Sequence, residues 1–281
     1  MNSEPRGAVE PGPVVNVRTG GFGLGYRSEL MDEISNAAYV DTLEVLSEQF
    51  FDSKSRELLR ELAAAYHVVP HGTGLSIGSF TRPRPEYLQS IRQVCDEIGA
   101  DYYSEHLCMT RAPGVNMGHL GPLLPSRASV DIVARNVDIV QNELGLPLAL
   151  ENITQPLILP SPDMSEAEFF SEVIDRTGAL VLLDITNLYT NCVNQGRDPD
   201  AELSHMPLDR VRHVHLAGGR WRDDVLVDSH SHPVPDAVWE LLKTVSSITR
   251  NFNLIIEHDQ NYADPATIVS QVARAREVVL T

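Results

Sequence analysis

Eight short β-rich runs, each followed by a longer stretch of helical character, constrain this chain more than any other feature. The runs are Phe22–Tyr26, Val40–Leu46, Val68–His71, Tyr102–Leu107, Leu148–Asn152, Leu180–Ile185, Val211–Leu216 and Leu254–His258. Between them the apolar residues fall at helical spacing. Ser53–Tyr66 carries Leu58, Leu59 and Leu62, and Arg84–Ile98 carries Leu88, Ile91 and Val94. Ser129–Leu144 carries Val130, Val133, Val137 and Val140 and closes on Gly145. Ser165 to Glu168 is a capping-box signature with Gly178 beyond its helix, and Asp264-Pro265 opens the last helix. Alternation of this kind builds a parallel sheet, and eight units predict closure into an α/β single-domain (β/α)8 TIM barrel. A doubly wound open sheet is the alternative. The barrel is expected over residues 21–281, after a polar, Pro/Gly-rich lead-in at 1–20 that is expected to be flexible.

Composition removes several function classes. The 281 residues carry 39 acidic and 22 basic side chains, a formal charge of −17, which repels a nucleic-acid backbone. No apolar run approaches the roughly 20 residues of a membrane span, and the N-terminus has no apolar signal core. Cys95, Cys108 and Cys192 form no C-x-x-C pair, as expected in a reducing, cytoplasmic setting. The only lysines, Lys54 and Lys243, lie in helical segments, which argues against a Schiff-base or phosphate-loop lysine.

The barrel reading makes the strand ends informative, because that face carries the chemistry of such folds. From the third strand onward nearly every one ends in a metal-ligating side chain: His71, His106, Glu151, Asp184, His215 and Glu257, with Asn187 three residues past Asp184. The segment Val211–Pro233 adds Asp228 and His230 and holds four of the ten histidines. A polar loop with solvated histidines would explain that segment alone. It does not explain six successive strand ends. His71, His106 and Glu151 form the two-imidazole, one-carboxylate arrangement suited to ferrous iron, zinc or manganese. Glu151 has a second oxygen for another ion held by Asp184, His215 and Glu257, and Asp228 and His230 remain for a third near Asn187.

The words HGTGLSIGS, SEHL, LALENI, LLDITNLY, VHLAGG, VDSHSHPVPDAVW and IIEHD, spread from about Gly23 to Asp259, resemble the multinuclear non-haem iron-dependent oxidative enzymes typified by the methanobactin-maturation oxidase. The resemblance implies a TIM barrel related to the xylose-isomerase and endonuclease IV group. It implies two or three irons, ferrous and ferric, and dioxygen as co-substrate. It also implies oxidative modification of cysteine or another residue of a ribosomal precursor peptide, and a partner protein that binds the peptide leader. Carried over by motif, the metal ligands are His71, His106, Glu151, Asp184, Asn187, His215, Asp228, His230 and Glu257; all but Asn187, Asp228 and His230 form the expected catalytic set. The chain departs from the family's words in the segment Glu44-Val-Leu-Ser-Glu48-Gln49-Phe50 and at Ser231-His232.

Other motifs have simpler readings. Gly74 to Gly78 matches G-x-S-x-G, but Pro83 and Pro85 interrupt the helix that a nucleophile elbow needs. His213 is expected one layer below His215, in the core or among the residues that support the ligands. Glu105, Asn152 and Asp259 are expected to orient ligands, His232 and His258 to border the substrate, and Cys108 to be a buried thiol. The competing functions are a metal-dependent phosphoesterase or sugar isomerase on the same barrel and a non-catalytic metal scaffold. The acidic balance disfavours a nuclease, and the lack of a strand-end lysine disfavours an isomerase.

Overall fold

The computed structural model describes residues 16–156, 159–160 and 162–281. In chain order the strands are β1 (Phe22–Gly25), β2 (Thr42–Leu46), β3 (His67–Gly72), β4 (Tyr103–His106), β5 (Met109–Ala112), β6 (Val115–Gly121), β7 (Leu148–Glu151), β8 (Leu180–Asp184), β9 (Val211–Ala217), β10 (Arg220–Arg222), β11 (Val225–Val227) and β12 (Asn253–Glu257). The helices are α1 (Met31–Asn36), α2 (Ser55–Ala65), α3 (Pro85–Ile98), α4 (Arg127–Leu144), α5 (Glu166–Thr177), α6 (Ile185–Gln195), α7 (Pro199–Leu203), α8 (Asp236–Ile248) and α9 (Pro265–Leu280). β1, β2, β3, β4, β7, β8, β9 and β12 close in that order into an all-parallel barrel. This is the predicted (β/α)8 architecture. No helix among the described residues is long and apolar enough to cross a membrane.

Successive residues of a strand face opposite ways, and that period sorts the core into two parts. Leu148 and Leu150, Val181 and Leu183, Val214 and Leu216, and Leu254 and Ile256 pack outward into one cluster with the helix faces. Val69, Ala149, Leu180, Leu182 and Ile255 form a second cluster inside the barrel, joined by Tyr102 and Val17. Fifteen residues of the expected lead-in lie outside the described residues. The rest of it, 16–20, has no regular structure, yet Val17 is buried and the Gly20 N–H donates to the Phe252 carbonyl at 2.9 Å.

Local chemistry accounts for the helix ends. Ser126 caps α4 through the Ser129 N–H, Ser165 and Glu168 complete the capping box of α5, and Gly145 and Gly178 close both helices at φ 66°. Three details escaped the sequence reading. A hairpin, β5–β6, follows β4, and the long connection after β9 folds into β10–β11. Ile185 belongs to a helix rather than a strand, because Asp184 ends β8 and caps α6 by accepting from the Asn187 N–H at 2.7 Å.

Candidate metal centre

The barrel register brings the strand ends together. His71 pairs with Ser104, His106 with Glu151, and Asp184 with His215 across neighbouring strands. Glu151 Oε2 lies 3.4 Å from both His71 Nε2 and His106 Nε2. Glu151 Oε1 lies 3.5 Å from His215 Nδ1, which is 3.2 Å from Glu257 Oε2. Three groups result, each with ligand atoms within 4.8 Å of one another: His71, His106 and Glu151; Glu151, Asp184, His215 and Glu257; and Glu44, His213 and His215. Glu151 is common to the first two. Ligands roughly 2.1 Å from one ion stand about 3 Å apart at right angles, so these spacings suit shared cations.

Asp228 and His230 adjoin the second group. His230 Nε2 is 2.7 Å from Asp228 Oδ1 and 3.8 Å from Glu257 Oε2. Asn187 enters from the first turn of α6. Its amide nitrogen donates to the Asn152 carbonyl at 3.1 Å, which leaves Oδ1 for the site. Glu151 Oε2, Asp184 Oδ2, Asn187 Oδ1, His215 Nδ1, Asp228 Oδ1 and His230 Nε2 are all buried without a hydrogen-bond partner. Orphaned polar atoms are rare in protein interiors because each costs about 1–3 kcal/mol. Six at one end of a barrel, all with lone pairs to offer, fit metal cations.

The far nitrogen of each imidazole is held. Ser104 gives its proton to the Pro70 carbonyl (3.0 Å) and so accepts from His71 Nδ1–H at 3.0 Å. His106 Nδ1 donates to the Gly72 carbonyl at 3.1 Å. His230 Nδ1 donates to Asp259 Oδ2 at 3.0 Å, and Asp259 is gripped in turn by Arg27. His215 Nε2 lies 2.9 Å from Glu44 Oε2. Each ring thus has its outer nitrogen held and turns the other to the site, the usual orientation of metal-binding histidine. His230 holds φ +47°, a strained conformation for a non-glycine residue, and its carbonyl is fixed by the Asp259 N–H at 2.7 Å.

Charge is crowded here. Burial, with Glu151 and Glu257 beside it, pushes the Asp184 carboxyl well above the usual range. Burial alone would raise Glu257, but the His215 and His230 imidazoles hold it well below. Burial would lower His106, yet Glu151 and Glu105 take it up to about 10; Glu257, Glu44 and Glu151 likewise overcome burial at His215. Burial with His106 and His215 as neighbours holds His71 well below its ordinary value. Without cations, the carboxylates retain protons on the neighbouring rings; cations in the same space would displace them.

All nine sequence-predicted ligands therefore stand at or beside one end of the barrel. Glu44 was missed as a participant. It lies on the inner face of β2, two residues before the strand's end, with one oxygen 2.9 Å from His215 Nε2 and 3.4 Å from His213 Nε2. The usable signal was its place in the two-residue period, two positions from Leu46. Among the other histidines, His119, His205 and His232 are exposed, His67 is partly exposed, and His213 and His258 are buried. Ser76, the serine of the G-x-S-x-G match, is buried and accepts the Thr110 and Arg111 N–H groups at 2.9 and 3.0 Å. It ties the His71 loop to the β5 strand. Cys108 is fully buried, and burial pushes its thiol well up. Lys54 is exposed and Lys243 pairs with Glu240, so neither lysine reaches the site.

Known proteins agree with this architecture. A D-tagatose 3-epimerase-like protein of known structure superposes with a TM-score of 0.60 at 16% identity, covering 92% of this chain and 98% of its own, which shows the shared fold. A UPF0276 protein of Streptomyces avermitilis is 34% identical over 282 residues, covering 96% of this chain; the chain spans 58% of that relative's length. A UPF0276 protein of Chromobacterium violaceum is 36% identical over 259 residues and is covered to 94% of its length. A sequence model of the RiPP precursor modification enzymes MbnB/TglH/ChrH matches residues 21–280, the whole barrel, and this chain belongs to that family.

Proposed function

We propose that this chain binds two iron ions sharing Glu151, with a third position at Asn187, Asp228 and His230, and uses dioxygen to oxidise a residue of a ribosomal precursor peptide, cysteine foremost. The observation that carries the reading is the set of six orphaned buried donor atoms converging where two ligand groups share one carboxylate. Bound iron supplies Lewis acidity and one-electron redox chemistry with dioxygen. His71, His106 and Glu151 would hold one ion with two imidazole nitrogens and a carboxylate oxygen. The Glu151 carboxylate offsets repulsion between neighbouring cations. Asp184, His215 and Glu257 hold the second ion with two anionic oxygens and one nitrogen. The site is deep in the barrel mouth, with the reacting groups buried, so a flexible peptide segment suits it better than a folded surface. We place the reaction in the cytoplasm, with a partner protein holding the peptide leader.

The test joins metal analysis to peptide chemistry. Protein from iron-rich medium is expected to carry about two irons per chain on the ligand count. With a precursor peptide encoded beside the gene, and with any leader-binding protein encoded there, mass spectrometry is expected to show an oxidative mass change in air and none under strict anaerobiosis. Full activity with zinc, or without oxygen, would turn the reading toward a hydrolase or isomerase.

A further inference from the structure

A line of buried polar side chains runs from the N-terminal mouth of the barrel up to His215, through a layer that is otherwise apolar. At its foot the Gly21 N–H donates to Asn253 Oδ1 at 3.0 Å, and Asn253 Nδ2 donates to the Arg18 carbonyl at 3.0 Å. Both backbone partners have only one possible role, so the orientation of the Asn253 amide is settled. Gly21 is required for this approach: a Cβ there would stand 2.0 Å from Thr42 Oγ1 and 3.0 Å from Asn253 Oδ1. The second Nδ2 proton reaches Tyr102 Oη at 3.2 Å. Tyr102 Oη lies 3.1 Å from His213 Nδ1. His213 Nε2 lies 3.4 Å from Glu44 Oε2, long and off-line for a full hydrogen bond, and it has no other partner. Glu44 Oε2 is 2.9 Å from His215 Nε2. Asn253, Tyr102, His213, Glu44 and His215 are each at most 3% exposed, so bulk water does not interrupt the line.

The protons along this line are determined one by one. Tyr102 accepts from Asn253 and has a single proton, which goes to His213 Nδ1. His213 then carries its own proton on Nε2, facing Glu44. Glu44 faces that N–H, and as a carboxylate it accepts from His215 Nε2 at 2.9 Å. His215 Nδ1 then turns to the site, 3.5 Å from Glu151 Oε1 and 3.2 Å from Glu257 Oε2.

We infer that Asn253, Tyr102, His213 and Glu44 form a polarised chain of positioning residues that fixes His215 as its Nε2–H tautomer and aims the Nδ1 lone pair into the site. Only the last clause rests on the metal reading proposed above. The chain gives Tyr102 and His213, both buried and outside the two groups that share Glu151, a role at a distance. Outer partners of metal-bound imidazoles commonly alter metal affinity about 10–100-fold.

The experiment uses the full chain with 15N-labelled histidine, read by long-range proton–nitrogen correlation both without metal and with zinc as a diamagnetic probe. His213 is expected to show the Nε2–H tautomer in both states, and His215 to show it with zinc bound. Tyr102→Phe removes the donor to His213 Nδ1 and is expected to move the His213 Nδ1 resonance to that of a nitrogen accepting no hydrogen bond, while His71, His106 and His230 keep their states. Asn253→Asp replaces the donor by an acceptor, so Tyr102 turns its proton downward and His213 reverses; it serves equally if Tyr102→Phe does not fold. Glu44→Gln is expected to weaken zinc binding about 10–100-fold. A proton on His213 Nδ1 in the unaltered protein, or an unchanged His213 in the folded variants, overturns the chain. Failure of the unaltered protein to bind zinc counts against the metal reading and leaves the tautomer result to decide the chain by itself.

Discussion

The lower and upper layers of the barrel interior use the same strands, one two-residue step apart, and have opposite chemistry. Val69, Ala149, Leu182 and Ile255 lie in the lower layer, and the next inward positions of the same strands are His71, Glu151, Asp184 and Glu257. Apart from the line through Tyr102, His213 and Glu44 the lower layer is apolar, so its worth lies in burial and in fixing the strands' mutual spacing. The upper layer buries several carboxylates and imidazoles with six orphaned donor atoms, an arrangement that opposes folding in the absence of cations. The contrast teaches that stability and function are separated along the strand axis. The rigid lower layer holds the unfavourable upper one in register, as in other barrels where the C-terminal face carries the chemistry.

That separation can be broken most severely at Glu151. Glu151→Gln keeps the shape but removes the anion common to both ligand groups, so both ions should bind worse. We expect the folded variant to lose more than about one metal ion per chain, read by elemental analysis. Retention of the full metal content would show that Glu151 is not the shared ligand. The complementary change lies one layer down. Leu182→Ala opens a cavity in the apolar layer and should cost about 2–5 kcal/mol in denaturant unfolding, while the purified protein keeps its metal. If metal is lost along with a smaller stability change, the two layers are not independent.

A smaller effect is expected at the margin of the upper layer. Asp228 and His230 have only the neutral Asn187 as a further ligand of their own, so Asp228→Asn should lower metal content by about one ion or less. A variant that empties the whole site would place Asp228 at the centre instead. The smallest effect falls outside both layers and serves as the control. Burial raises the Glu166 carboxyl to about 7, against the attraction of Arg197 at 3.3 Å. Its folded value lies above the unfolded one, so the folded chain keeps a proton that the unfolded chain has released between about pH 4.5 and 7. Stability therefore falls as pH rises through that window, by on the order of 2 kcal/mol. Glu166→Gln should flatten this part of the profile in thermal unfolding at pH 5 to 8 and leave metal content unchanged.

Much of this was legible in the chain because it depends on local periodicity. The alternation of β and helical runs predicted the closed barrel, and Ser165, Glu168, Gly178 and Asp264 marked helix ends through interactions spanning three or four residues. That the candidate ligands would gather was legible for the same reason: given a barrel, the strand ends must share one face. The hairpin β5–β6 and the short β10–β11 were not, because their pairing depends on weak patterns with exposed side chains. Ile185 read as strand because an apolar residue beside an apolar run carries no sign of the turn that Asp184 imposes.

The sequence by itself determined that six of the eight strands would carry their His, Asp and Glu side chains to a common end, since strand direction and the two-residue period leave no other place for them. Only the tertiary structure decided which of those side chains meet. Glu151 touches both groups, Glu44 joins His215 from a strand 171 residues earlier, and Tyr102 stands against His213 from 111 residues away. Those pairings follow from barrel closure and strand stagger. They are set by the packing of all eight strands at once, so no window of the sequence contains them.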